Sequence, residues 1–210
     1  MNRVLAAVLL AAAPKAFALE GAHSFDTGFS MPALSFQRAA ATPARVGPHR
    51  PRIATITGGM NLTPVDLTFD RVEWTIKGGI AGSPVDVKID HDKAKITGGA
   101  NQSPIDLTFK WSPEAYSVEG GANLSPIKLD IDWQKGTLNG YANHSTVAVT
   151  FNLEEGWVKG AANHSGLELK YDKISGKLTG GMNQAPVGVT LTNMDLSDFL
   201  QNFFLFLRQP

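Results

Sequence analysis

Six asparagines recur along the chain, each just after glycine-containing corners: Asn61, Asn101, Asn123, Asn143, Asn163 and Asn183. With Ala81 in the second place, the spacings are 20, 20, 22, 20, 20 and 20 residues. Seven units of about twenty residues therefore cover 56–194, a period that marks stacked supersecondary units unable to bury an apolar face alone. Whatever this chain folds into must repeat one piece of geometry seven times.

Within each unit, apolar residues alternate after the corner, as in Val65, Leu67 and Phe69, or Ile105, Leu107 and Phe109. Polar residues such as Asp66, Thr68, Asp106 and Thr108 fill the places between. A period of two with one apolar face predicts a half-buried β-strand. A second, shorter strand follows, marked by Ile76, Ile96, Val118, Leu138, Val158 and Leu178. Between the two strands, four-residue loops end in Gly136, Gly156 or Gly176 and follow Asp132, Asn152 or Asp172. Glycine supplies a positive φ there, and the Asp or Asn carboxyl or amide oxygen can accept from the turn backbone. Counting outward pairs Ile131 with Leu138, Phe151 with Val158 and Tyr171 with Leu178. A one-residue slip would set Asp132 opposite Leu138, so the pattern selects its own register.

The other connection, Gly-Gly-(Ala/Met)-Asn-X-Ser-Pro, carries proline at Pro64, Pro84, Pro104, Pro126 and Pro186. Proline cannot donate to a ladder and belongs at a strand's first residue. The paired glycines are expected to let the backbone turn sharply or pack closely, with Asn and Ser satisfying corner groups. The fold class expected is all-β: seven tandem hairpins of about twenty residues forming a long antiparallel roll or barrel. The alternative is a β-solenoid, which would stack Asp66, Asp86 and Asp106 about 4.8 Å apart.

The ends differ from the array. Residues 1–18 have a positive start, the apolar run "VLAAVLLAAA" and a small-residue "AFA" site, which is the pattern of a cleaved signal peptide. The run is too short to span a bilayer. Residues 19–52 read as a flexible, basic, proline-rich leader carrying Arg38, Arg45, Arg50 and Arg52. The β-repeat domain is expected over 53–194. Residues 195–210 are expected to form a C-terminal helix, with Asp195 or Ser197 as its cap and Phe199, Leu200, Phe203, Phe204 and Leu207 at helical spacing. The reading is a helix that caps an open end of the sheet, with peripheral membrane contact as its alternative role.

Nineteen basic residues balance nineteen acidic ones, so the charge balance offers no footprint for nucleic acid. Cysteine is absent, which leaves neither disulfides nor thiol chemistry. His144 and His164 occupy equivalent corners and are the metal-ligand candidates, but two ligands without a third make a weak site. No catalytic motif is found, and no cofactor is expected. A repeat spreads similar residues over seven places, whereas catalysis gathers unlike residues at one. Asn-X-Ser/Thr triplets at Asn61, Asn101, Asn123, Asn143 and Asn163 coincide with the corners and read as structural.

Gly98, Asn101, Ser103 and Ile105, with Gly120, Asn123, Ser125 and Ile127, form a corner that resembles the repeat of curlin-type subunits. The resemblance implies an exported strand-turn-strand array that assembles outside the cell. Here Leu and Phe stand where curlins carry inward glutamines, and proline and charge, which oppose fibre growth, are frequent. The expected function is an exported, non-enzymatic β-repeat protein with a structural or adhesive role in the periplasm or at the cell surface. Its expected partners are an envelope polymer, a glycan or further copies of itself. The alternatives are a membrane-associated barrel or a carrier of an apolar ligand.

Overall fold

The structure, a computed structural model, describes residues 50–207. The readings of residues 1–18 as a signal peptide and of most of 19–52 as a leader lie outside the described residues. Fourteen antiparallel strands close into a barrel in which each strand pairs with its neighbours in sequence, and the last pairs with the first. In chain order they are β1 (Ile53–Met60), β2 (Thr63–Asp70), β3 (Thr75–Ile80), β4 (Ser83–Asp90), β5 (Lys95–Ala100), β6 (Ser103–Trp111) and β7 (Ala115–Ala122). The second half comprises β8 (Ser125–Asp132), β9 (Thr137–Ala142), β10 (Ser145–Asn152), β11 (Trp157–Ala162), β12 (Ser165–Asp172), β13 (Lys177–Met182) and β14 (Ala185–Thr192). Hairpin repeats are as the turn chemistry led one to expect, the array closes as a barrel, one of the two forms expected, and the solenoid alternative is not found. Ile131 faces Leu138, Phe151 faces Val158 and Tyr171 faces Leu178, the register drawn from the alternation.

The barrel has two unlike rims. At one, two-residue turns join strands with both residues at positive φ, as in Asn61 (54°) with Leu62 (61°) and Asn143 (51°) with His144 (58°). Such turns match the twist of the flanking strands, and asparagine tolerates the left-handed region better than most residues. The glycine pairs do not make this corner. They lie one step earlier, inside the strands, with Gly59 opposite Pro64 and Gly99 opposite Pro104, which places each proline second in its strand. Ser103 Oγ accepts from the Leu124 N–H of the next corner at 2.8 Å, and Ser145 Oγ accepts from the His164 N–H at 2.8 Å. At these two corners the Asn-X-Ser sequence makes a tight turn and ties it to its neighbour, whereas Ser125 Oγ and Ser165 Oγ are buried without a hydrogen-bond partner among the described residues.

At the other rim, four-residue loops follow Asp70, Asp90, Asp132, Asn152 and Asp172. Asp132 Oδ1 accepts from the N–H groups of Gln134 and Lys135 at 3.1 and 2.9 Å, and Asn152 Oδ1 accepts equivalently at 2.8 and 2.9 Å. Arg52 and the loop amides hold the Asp70 carboxyl well below its usual range. The other loop carboxylates are lowered too: Asp90 first through the Lys93 amide, Asp132 first through the Lys135 ammonium, and Asp172 first through the Ile174 amide. A folded pKa below the unfolded value of about 3.9 gives stability that is present above that pH and is lost as pH falls through the folded pKa. Melting temperature should therefore drop progressively between about pH 4 and 2. Asp132→Asn, which copies Asn152, should keep the fold and flatten that slope in a series of thermal melts.

The helix α1 (Leu196–Gln201) and a short 3-10 turn (Phe203–Leu205) complete the fold. Asp195 is the N-cap, and a reciprocal capping box with Asp198 fixes the start. The place of this segment differs from the expected cap over an open end. A barrel closed by pairing of β1 and β14 has no free edge to cover, and the apolar side chains instead fill the lumen. Phe199, Phe203 and Phe204 are fully buried, among the inward rows of the strands. The segment enters at the loop rim and reaches the corner rim, where Asn123 Nδ2 and Asn143 Nδ2 donate to the Leu207 carbonyl at 2.8 and 2.5 Å. Asn143 also donates to Asn163 Oδ1 at 3.1 Å. Asn143→Ala should cost about 1–3 kcal/mol in urea denaturation, since it removes the buried hydrogen bonds to the Leu207 carbonyl and Asn163 Oδ1 and puts alanine at positive φ.

Candidate pocket at the loop rim

Seven copies of one unit provide an internal standard, and departures from it mark where something other than stacking is served. At the last loop position Gly136, Gly156 and Gly176 have φ of 64°, 71° and 69°. A Cβ on any of them would collide with the carbonyl of Phe151, Tyr171 or Leu191 on the strand of the following hairpin. At the same position two loops carry Trp74 (53°) and Ala94 (52°). A bulky residue held in the left-handed region costs about 1–2 kcal/mol, so Trp74 sits where glycine would be easier. The third loop departs differently, by the two extra residues in "WSPEAY".

These departures converge. Trp74, together with Trp111 and Tyr116 on either side of the insertion, lines a cavity of about 140 Å³ between β2–β7 and the start of α1. Ile89 and Phe109, the residues that face this opening, are half-buried, whereas Ile131, Phe151, Tyr171 and Leu191 at the corresponding places are buried. The barrel wall is thus open on the side of the irregular loops and closed on the side of the glycine loops.

A row of rings forms one wall. The Trp74 and His91 rings meet edge-to-face with centroids 4.1 Å apart, His91 and Phe109 do so at 5.6 Å, and Phe109 stacks on Tyr116 at 6.2 Å. Burial pushes the His91 pKa down, against the raising influence of Asp90 and Asp92. Burial thus favours the uncharged ring.

The opposite wall is polar and already paired. Arg50 donates to both oxygens of Asp198 at 2.9 and 2.7 Å and to Asp195 at 2.5 Å. Arg71, almost buried, donates to the carbonyls of Pro51 and Asn193 and to Asp198. Burial, then the neighbouring Asp195 charge, pushes the Asp198 carboxyl up, while Arg50 and Arg71 pull it back. Gln201, the last residue of α1, lines the cavity, and its side chain makes no hydrogen bond among the described residues.

The residues singled out from sequence lie at the far rim. Asn101 donates to Asn123 Oδ1 at 2.8 Å and, with Asn123 and Asn143, holds the lumen segment. Asn61 and Asn183 occupy the same turn position, at φ of 54° for each. His144 and His164 are exposed at the second position of adjacent corner turns. Among the described residues no group of three or more His, Cys, Asp or Glu side chains gathers to hold a metal. Sequence reasoning missed the pocket because it sought the repeated residues; its signal was the places where the repeat breaks, Trp74 for glycine and the insertion after Trp111. Comparison with protein-family models, curated proteins and solved structures gave no match.

Proposed function

We propose that this is an exported, non-enzymatic binding protein that holds a small apolar ligand at the loop rim of a plugged barrel. The observation that carries the reading is the convergence of the repeat's irregularities on one aromatic cavity. A strained Trp74 where sister loops use glycine is a stability cost retained for another purpose. The filled lumen leaves the rim as the place for a ligand. The outward rows support a carrier over a barrel embedded in lipid, for they bear Lys77, Asp86, Lys88, Asp106, Lys159 and Glu168, all exposed, whereas a membrane barrel needs an apolar outer band. Export rests on the N-terminal pattern.

A second reading, adhesion to an envelope polymer or glycan, draws on the repetition of this outer face. Cross-strand pairs recur there, with Lys95–Asp106 at 3.5 Å, Lys128–Glu119 at 3.4 Å and Lys159–Glu168 at 2.9 Å. Repeated weak contacts would favour a repetitive partner.

Trp74→Gly separates the two. It should leave unfolding free energy within about 1 kcal/mol of the parent, or raise it, because relief of the left-handed strain offsets lost ring contacts. It should also abolish uptake of small aromatic probes measured by calorimetry. Loss of several kcal/mol with unchanged uptake would make Trp74 a packing residue and sink the carrier reading.

A further inference from the structure

We infer that the ligand is an uncharged, single-ring aromatic molecule bearing one hydroxyl group. The inference rests on the binding reading above and concerns what that cavity selects.

Size sets the first limit. An engineered protein cavity of roughly 150 Å³ accepts benzene, and this one is about 140 Å³, so one ring fills it. Wall chemistry sets the second. Trp74, His91, Phe109 and Tyr116 present a succession of ring faces and edges, and a further ring extends that packing with offset or edge-to-face contacts.

Charge sets the third limit. An anionic ligand would look to Arg50 and Arg71, but the first is committed to Asp195 and Asp198, and the second to Asp198 and two backbone carbonyls. Recruiting Arg50 would draw it from Asp195 and Asp198, and recruiting Arg71 would draw it from Asp198, in each case weakening a part-buried ion pair, which is costly. A cation would meet the positive charges of Arg50 and Arg71 on the same wall, and Asp198 already accepts from both arginines. A neutral ligand disturbs none of these pairs.

Two polar groups on the wall remain unused among the described residues: His91 Nε2, which is buried without a hydrogen-bond partner, and the side chain of Gln201. The Gln201 carboxamide offers both a donor and an acceptor at the cavity wall and engages neither among the described residues. A hydroxyl both donates and accepts, so a single phenolic group satisfies it. A bare hydrocarbon would bury the amide against carbon and lose that contribution.

The test is isothermal titration of the purified protein with p-cresol, toluene and p-toluate at neutral pH. These share one ring and differ in the hydroxyl, its absence, or a negative charge. The expected order is p-cresol tightest, about five-fold ahead of toluene, the worth of one net hydrogen bond, with p-toluate weakest. Gln201→Leu should weaken p-cresol about five-fold, to the level of toluene. Tightest binding by p-toluate would overturn the neutrality argument. Equal affinities for p-cresol and toluene, or a preference that survives Gln201→Leu, would overturn the assigned hydrogen bond; in each case the pocket stands as a binding site. Absence of heat with all three ligands would overturn the reading on which the inference rests.

Discussion

Gly98→Ala is expected to destabilise the barrel by roughly 3–5 kcal/mol, whereas Gly99→Ala, one residue on, should be close to neutral. Gly98 has φ of 138°, and a Cβ there would collide with the Asp86 carbonyl oxygen and come within 2.8 Å of Val87 Cα on the paired strand. Both obstacles are backbone, so no side-chain rotation relieves them. Gly99 has no positive φ, and its nearest obstacle is the Ser103 carbonyl oxygen at 3.6 Å, an ordinary contact. The same geometry recurs at Gly58, Gly78, Gly120, Gly140, Gly160 and Gly180, with φ between 138° and 149°. Repeated glycine kinks are the device by which a sheet bends enough to close. Urea denaturation of the two variants reads the contrast. Equal and small losses would show that closure does not depend on the kinks.

Phe203→Ala should cost about 3–5 kcal/mol, the range for removing a fully buried aromatic side chain. Phe203 is wholly inaccessible and packs edge-to-face on Phe199, with centroids 5.9 Å apart. It belongs to a short segment with few backbone bonds of its own, so its burial, rather than helix propensity, holds the segment in place. Phe203→Leu keeps most of the volume and should lose distinctly less. Equilibrium unfolding followed by far-UV dichroism and by tryptophan emission should show one shared transition for both variants. If Phe203→Ala lost under about 1 kcal/mol, or if the segment became protease-sensitive while the strands stayed folded, the lumen would not need its filling.

Much of the fold was legible in the residues themselves. Alternation in Val147, Val149 and Phe151 gave strands, and Asp132 with Gly136 gave a loop whose length set the register. These features are local, and β-pairing between sequence neighbours follows from them. Two things were harder to see. The Gly-Gly pairs looked like the corner because glycine is the usual turn residue, yet the turn lies at Asn-X, where asparagine accepts positive φ, and the glycines bend the strands. The lumen segment looked like a cap because the pattern of Phe199, Phe203 and Phe204 shows an apolar face without showing what covers it.

The pocket was legible only as an absence of repetition. Trp74 is adjacent in sequence to nothing that resembles a site, and His91, Phe109 and Tyr116 come from separate hairpins. Sequence by itself determined the unit: its strands, its loop chemistry and the register within each hairpin, because each depends on residues fewer than about ten apart in a period-two pattern. Tertiary structure alone decided that seven units close on themselves, that the C-terminal segment lies inside, and that the irregular loops border one cavity. Closure joins Thr55 to Thr192, and no local rule carries information over that distance. It depends on the summed bend and twist of fourteen strands and on an apolar interior that needs an apolar filling.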